Sequence, residues 1–322
     1  ITRPWWSSRS IRRLLYITSN LLYVVFVLRS VSILGSTGSV GANTLEVLTS
    51  LSERFRLYGI SCNQNILLLH NQITQYKPAI AVITDEKKYT EFVNQHGSRI
   101  GDTEILYGEE GLNEISSQKV VDIVVAAIVG FTCLRPVINA ISSNKTIIIA
   151  NKEILVSAGE LIISSLKKSK ARLLPVDSEH NALLQVIISS GLEYRINDKN
   201  YYKSKLNNLT ITASGGPFLD LEFSEFKNIK SKHAIKHPTW SMGKKISVDS
   251  STMMNKGLEI IEAKLLFNLD LENINAIIHR QSKVHALVEF LDGSTIAHMA
   301  EPDMKIPISY ALTFTDRIYK SA

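Results

Sequence analysis

Cysteine is scarce in this 322-residue chain; only Cys62 and Cys133 occur. Two isolated cysteines give no disulfide framework and no metal-thiolate spacing, which points to a reducing compartment. Long hydrophobic runs are missing too. The apolar stretch Leu21–Leu28 has eight residues, against the about 20 that a membrane-spanning helix needs. Acidic residues are absent from residues 1–45, which hold five arginines and no lysine. That arm accounts for most of the formal charge of +6, because the remaining chain carries 31 basic and 30 acidic residues. No global nucleic-acid signature is left.

What is present fits a globular protein: 45% apolar and 20% charged residues, with a length that suggests two domains. Residues 1–30 read apart from the rest, as a leader or a non-native extension. They are rich in Arg and Ser like a transit peptide, a weaker signal-peptide or anchor reading stays open, and no Met opens the chain. The expected location is a bacterial-type cytoplasm, or a plastid if residues 1–30 are a transit leader.

From residue 31 onward, short buried-looking strands (31–34, 57–61, 79–84, 120–128, 146–150) alternate with helical patterns such as 41–51 and 159–168. Alternation of this kind predicts an α/β fold, a Rossmann-like parallel sheet covered on both faces, over residues 31–176. Residues 193–208 are polar and turn-rich and read as a surface excursion. A strand at 209–213 and an amphipathic helix at 251–267 follow. Three alternating stretches after them (276–279, 284–291 and 294–299) suit antiparallel strands. The second half, 177–312, is expected to form an α+β domain, with 313–322 the start of a linker.

Directly after the first strand, ILGSTGSVGANTLEVL spaces Gly35, Gly38 and Gly41 as G-x-x-G-x-x-G. Such glycines allow a tight turn and let backbone approach a pyrophosphate, with the next helix offering free N–H groups and its positive end. A ligand-free strand–helix turn is the bland alternative. The second strand leads to Cys62-Asn63-Gln64-Asn65 with no acid to hold a ribose 2′-hydroxyl, which favours NADP over NAD; no Arg or Lys stands there either.

In LLPVDSEHNALLQ, Asp177 and Glu179 interrupt an apolar segment. In extended backbone the i and i+2 side chains share a side, so the two carboxylates converge, as hard-oxygen ligands of Mg²⁺ or Mn²⁺ do. Helix capping by Asp177 and Ser178 is the competing account, and His180 reads as structural more readily than as a ligand. Asn255, Lys256 and Glu259 recur within one helical turn among Met253, Met254 and Leu258, supplying a third carboxylate, an ammonium and an amide. Ser214-Gly215-Gly216-Pro217 forms either an anion-accepting loop or an ordinary turn. Asn151, Lys152 and Glu153 stand at a strand's carboxyl end, where open sheets bind ligands. His237, Trp240, Met242 and Gly243 belong to a loop suited to a mobile lid, or equally to a hydrophobic plug.

Taken together, ILGSTGSVG, VAAIVG, ANKEILV, LLPVDSEHNALLQ, TASGGPF, HPTWSMGKKISVDSSTMMNKGLEIIEA and AEPDMKIPISYAL run in the order seen in the 1-deoxy-D-xylulose 5-phosphate reductoisomerase family, which the chain resembles from residue 31 to about 312. The resemblance implies an enzyme of non-mevalonate isoprenoid biosynthesis that uses NADPH and Mg²⁺ or Mn²⁺ and works as a homodimer on a sugar phosphate. By matching motifs it implies metal ligands Asp177, Glu179 and Glu259, and catalytic roles for Lys152, Glu179 and His237. Substrate contacts would come from Lys152, Ser178, Glu179, Ser214, His237, Ser250, Asn255, Lys256 and Glu259. Cofactor contacts would come from Thr37, Gly38, Ser39, Val40, Asn65, Asn151, Glu153 and Gly243, with Trp240 and Met242 in a closing flap. Gln64 stands where the family carries Lys, which bears on 2′-phosphate affinity, and Ala213 where it often carries Gly. The family continues into a C-terminal helical domain beyond the point where this sequence ends. The rival readings are a metal-independent dehydrogenase of phosphorylated aldehydes and a catalytically impaired NADPH-binding remnant.

Overall fold

The computed structural model describes residues 28–235 and 243–319, together with the backbone of residues 13–18 and 21–26. His237, Trp240 and Met242 therefore lie outside the described residues. Strands β1 (Arg13–Thr18) and β2 (Leu21–Phe26) pair as an antiparallel hairpin. Among the described residues, no helix is long and apolar enough to cross a membrane.

The larger sheet has eight strands: β3 (Arg29–Leu34), β4 (Phe55–Cys62), β5 (Ile80–Ile83), β6 (Arg99–Ile100), β7 (Thr103–Tyr107), β8 (Ile123–Ala126), β9 (Thr146–Ile149) and β10 (Arg172–Pro175). Their spatial order is β10-β9-β8-β3-β4-β5-β7-β6, parallel except for the edge strand β6. Both faces are covered, as the apolar runs require. Ile123 and Val125 of β8 belong to one apolar cluster, and Val124 and Ala126 to the other. The strand order reverses between β3 and β8, which leaves a crevice at their carboxyl ends.

The smaller sheet comprises β11 (Leu206–Ala213), β12 (Ile274–Ile278), β13 (Val284–Phe290) and β14 (Thr295–Met299), in the order β12-β11-β13-β14. Helix Ser178–Ser189 packs on β13 and β14. β13 and β14 are antiparallel to their neighbours, as expected, but β12 runs parallel to β11. The helical connection between these two strands returns the chain to its starting end, which a hairpin cannot do.

Other expectations also need correcting. The helix expected at 251–267 runs over Met254–Phe267; Ser251 instead ends a separate helix, Lys244–Ser251, and the break falls where Met253 adopts a left-handed conformation with φ of 61°. Residues 193–208 run over the surface as expected, but Tyr202 and Leu206 within them are buried. Tyr202 is fully buried edge-on against Phe267, and its hydroxyl accepts a hydrogen bond from the Arg195 amide at 2.9 Å. The polar composition of the stretch hid this anchor. The final helix, Lys305–Thr313, falls within the stretch expected to belong to the second domain. Ile308, Tyr310, Ala311 and Leu312 nevertheless join the apolar cluster of the larger sheet, and Arg29 Nη1 donates to the Leu312 carbonyl at 3.2 Å.

Candidate active site

The glycine-rich turn follows β3 at the reversal point. Gly35 has φ of +91°, and a Cβ there would stand 3.0 Å from the carbonyl of Ala127, so only glycine lets the turn press against the segment after β8. Helix Ser39–Ser50 then begins, two residues earlier than its apolar pattern suggested, with Gly38 as its N-cap. Its first residues, Ser39 and Val40, line the principal cleft.

The same cleft is lined by Lys152, Asp177, Ser178, Glu179, Ser214, Gly243, Ser250, Asn255, Lys256 and Glu259. Three elements deliver the charged groups: the start of helix Lys152–Lys167, the start of helix Ser178–Ser189 after β10, and helix Met254–Phe267. Asp177 is the N-cap of its helix but makes no side-chain capping bond, so its carboxylate is left for the cleft. Oxygens of Asp177, Glu179 and Glu259 all lie within 4.8 Å of one another.

Two buried ammonium groups neutralise these acids. Lys152 Nζ is 2.8 Å from Glu259 Oε1, donates to Asn255 Oδ1 at 3.0 Å and also pairs with Asp177. Lys256 Nζ is 2.8 Å from Glu179 Oε1, pairs with Glu259 and donates to the Thr212 carbonyl. Burial alone would raise the Asp177 carboxyl, but Lys152 and His180 together outweigh it and hold that carboxyl well below the usual range. Burial, reinforced by the neighbouring Glu259, pushes Glu179 up to about 7 despite Lys256. Burial disfavours the charged form of Lys152 as well, yet Asp177 and Glu259 more than compensate and keep it protonated.

Behind this layer, His180 is fully buried. Its Nε2 is 2.8 Å from the Glu259 carbonyl, and its Nδ1 faces Asp177 Oδ1 at 3.4 Å and Glu262 Oε2 at 3.6 Å. That is the structural role the sequence favoured for His180. With Glu262 included, four carboxylates face two ammonium groups. Asp177 Oδ1 is buried without a hydrogen-bond partner. The converging oxygens of Asp177, Glu179 and Glu259 in the cleft are hard ligands that suit a divalent cation such as Mg²⁺ or Mn²⁺.

Some expected residues act at one remove. Asn151 Oδ1 caps its helix by accepting from the Ile154 amide, and its Nδ2 donates to the carbonyls of Ile128 and Gly130. Its side chain is thus committed to holding the segment after β8 beside the glycine-rich turn. Asn65 caps helix Ile66–Tyr76 by accepting from Leu68. Glu153 pairs with Lys245 rather than lining the cleft. Gln64 donates to Asp85 at 3.3 Å. Sequence reasoning missed Ser282, His285 and Met304, which also line the cleft. His285 is the one histidine of strand VHALVEF, and Met304 stands in the motif AEPDMKIPISYAL, but neither position was singled out; no pattern marks Ser282.

The raised Glu179 and Glu262 carboxyls, both at about 7, set a pH dependence. Between the ordinary glutamate value of 4.5 and about 7, the folded state binds more protons than the unfolded chain. Stability from these two groups is therefore fully present below 4.5 and is lost as pH rises to about 7. Added Mg²⁺ or Mn²⁺ is expected to offset that loss, because a cation favours the ionised acids. Thermal melts across this range, with and without the cation, check it; melts that coincide would contradict the assignment.

Residues 31–159 match the family model described as 1-deoxy-D-xylulose 5-phosphate reductoisomerase, and residues 173–267 match that of its C-terminal domain. A 1-deoxy-D-xylulose 5-phosphate reductoisomerase of Clostridium botulinum (strain 657 / Type Ba4) is 44% identical over 290 residues, covering 90% of this chain and 72% of that protein. One from Caldanaerobacter subterraneus subsp. tengcongensis is 43% identical over 292 residues, covering 91% and 72%. A crystal structure of a DOX-P reductoisomerase in complex with NADPH, fosmidomycin and magnesium superposes with a TM-score of 0.83 at 40% identity, over 92% of this chain and 72% of that one. The Zymomonas mobilis enzyme in complex with NADPH gives 0.79 at 36%, over 92% and 73%. With this identity, coverage and shared architecture, the chain belongs to the 1-deoxy-D-xylulose 5-phosphate reductoisomerase family.

Proposed function

We propose that this chain rearranges 1-deoxy-D-xylulose 5-phosphate and reduces the product to 2-C-methyl-D-erythritol 4-phosphate, with NADPH and Mg²⁺ or Mn²⁺. The observation that carries the reading is that one cleft joins the start of the glycine-loop helix, Ser39 and Val40, to the carboxylates Asp177, Glu179 and Glu259. A plain dehydrogenase needs only the first half of that cleft.

Asp177, Glu179 and Glu259 would hold the cation. Ser39, Val40 and the preceding Thr37 and Gly38 would receive the NADPH phosphates at a helix N-terminus. Once bound, the cation supplies Lewis acidity toward the substrate's oxygens and NADPH supplies hydride. Lys152, charged and held by Asn255 and Glu259, stands ready to neutralise negative charge on the rearranging oxygens. Lys256 spends its donors on Glu179, Glu259 and Thr212 in this arrangement. With Glu179 and Glu259 holding a cation, the Lys256 ammonium would have N–H donors free for the substrate phosphate, beside Ser214, Ser250 and Asn255. His237, Trp240 and Met242 are assigned to the phosphate end and the closing flap by motif alone. The homodimeric state and a bacterial-type cytoplasmic location belong to the same proposal.

Purified protein mixed with NADPH, Mg²⁺ or Mn²⁺ and the substrate is expected to lose nicotinamide absorbance, and a chelator should stop the loss. Turnover that survives chelation would favour the metal-independent dehydrogenase. NADPH binding without turnover would leave only the remnant.

A further inference from the structure

Helix Ile66–Tyr76 turns Leu69, Ile73 and Gln72 inward. A glutamine that is 5% exposed between two core aliphatic residues is costly unless its amide is fully paired. It is paired with the glycine-rich turn. Ser36, itself fully buried, donates its hydroxyl to Gln72 Oε1 at 2.6 Å, and Gln72 Nε2 donates back to the Ser36 carbonyl at 2.9 Å. Ser61, near the end of β4, completes the clamp. Its Oγ accepts from the Gly35 amide at 2.8 Å, and its carbonyl accepts from the Ser36 amide at 2.8 Å.

The first two residues of the turn thus have their polar groups held from below. The N-cap Gly38 donates its amide to the Gly35 carbonyl at 3.2 Å, so the turn closes directly before helix Ser39–Ser50, whose first amides have no preceding helical turn to bond to. The clamp also spans two subsites. Helix Ile66–Tyr76 begins at Asn65, immediately after the Asn63-Gln64 segment that follows β4. In a sheet of this order that segment faces the ribose next to the first strand. We propose that Gln72 is a positioning residue: through Ser36 it fixes the pyrophosphate turn relative to the ribose-side loop, and so sets NADPH affinity without touching the cofactor. The inference rests on the reading of the glycine-rich turn as the cofactor site.

The test compares NADPH affinity in the wild-type protein, Gln72→Met and Gln72→Glu, followed by the change in NADPH fluorescence on binding, with Mn²⁺ binding and turnover measured in parallel. Gln72→Met keeps the length of the side chain but removes both hydrogen bonds. Gln72→Glu keeps the shape and the acceptor for Ser36 Oγ but buries a carboxylate oxygen against the Ser36 carbonyl, acceptor against acceptor. The expected result is NADPH affinity about tenfold weaker for Gln72→Met, the size of losing a buried paired amide, and a loss at least as large for Gln72→Glu, whose buried carboxylate faces the Ser36 carbonyl. Mn²⁺ affinity should be unchanged, and KM for NADPH should rise while kcat stays within about twofold. Wild-type protein that does not bind NADPH would overturn the cofactor reading. Wild-type binding with an equal affinity in either folded variant would overturn the role of Gln72. A parallel loss of Mn²⁺ binding would also overturn it, because the effect would then be global. If Gln72→Met does not fold, Gln72→Glu decides between these outcomes.

Discussion

Replacing Glu259 with glutamine is expected to lower kcat/KM by about 10³-fold, the scale of losing one preorganised electrostatic contact, and to weaken Mg²⁺ and Mn²⁺ binding in step. Glu259 is the hinge of the charge cluster. One of its oxygens meets Lys152 and the other meets Lys256, while Asp177 and Glu179 stand on the far sides of those lysines. An amide offers one acceptor and turns its NH₂ toward the other ammonium. Two buried cations would then share less negative charge, and a broken buried pair costs about 3–5 kcal/mol. The variant should therefore also melt at lower temperature. Calorimetric titration with Mn²⁺ and a thermal melt check both effects. A Glu259→Gln protein with wild-type cation affinity would remove Glu259 from the ligand set.

The second large effect is expected at Gly41. It lies inside helix Ser39–Ser50, where exchanging glycine for alanine ordinarily stabilises by about 1 kcal/mol. Here the sign reverses. A Cβ on Gly41 would fall 2.2 Å from the Gly35 carbonyl oxygen, 2.5 Å from Ser36 Cα and 2.8 Å from Ser36 C. All three are backbone atoms, so no side chain can swing aside to relieve the clash. The turn itself must move, and with it the amides meant for the pyrophosphate. Gly41→Ala is expected to weaken NADPH binding by about 100-fold or more, the cost of misplacing a preorganised site by about an ångström, while cation binding at the carboxylates persists. NADPH fluorescence and Mn²⁺ titration separate the two. Unimpaired NADPH affinity would mean that the turn does not serve the cofactor.

These contacts show where sequence reasoning reached and where it stopped. The parallel sheet was legible because strands buried on both faces must be apolar throughout, as in IVVA of β8 and TIII of β9. The short strand Thr103–Tyr107 escaped notice because only alternate residues, Thr103 and Ile105, are buried. Helix Lys152–Lys167 was expected from residue 159, but Asn151 caps it much earlier; Ala158 at φ of −136° interrupts the regular backbone between the two starts. The parallel pairing of β12 with β11 was illegible because period-2 alternation reports which face is buried and carries no record of strand direction.

Within the site, the residue types and local spacing of Asp177, Glu179, Asn255, Lys256 and Glu259 pointed to oxygen ligands beside an anion pocket. The sequence by itself determined the α/β framework with its parallel sheet covered on both faces, the glycine-rich turn and that inventory of charged groups, because each is written in the period or chemistry of neighbouring residues. Only the tertiary structure decided that Lys152 and Lys256 stand between carboxylates from separate elements, that Asn151 serves the fold, and that Gln72 grips the turn from below. Those pairings include Asn151 with Gly130, 21 positions apart, Gln72 with Ser36, 36 apart, and Lys152 with Glu259, 107 apart. No local pattern encodes which distant partner will satisfy a buried polar group; packing of the whole chain makes that choice, because an unpaired group in the interior costs more than any local preference returns.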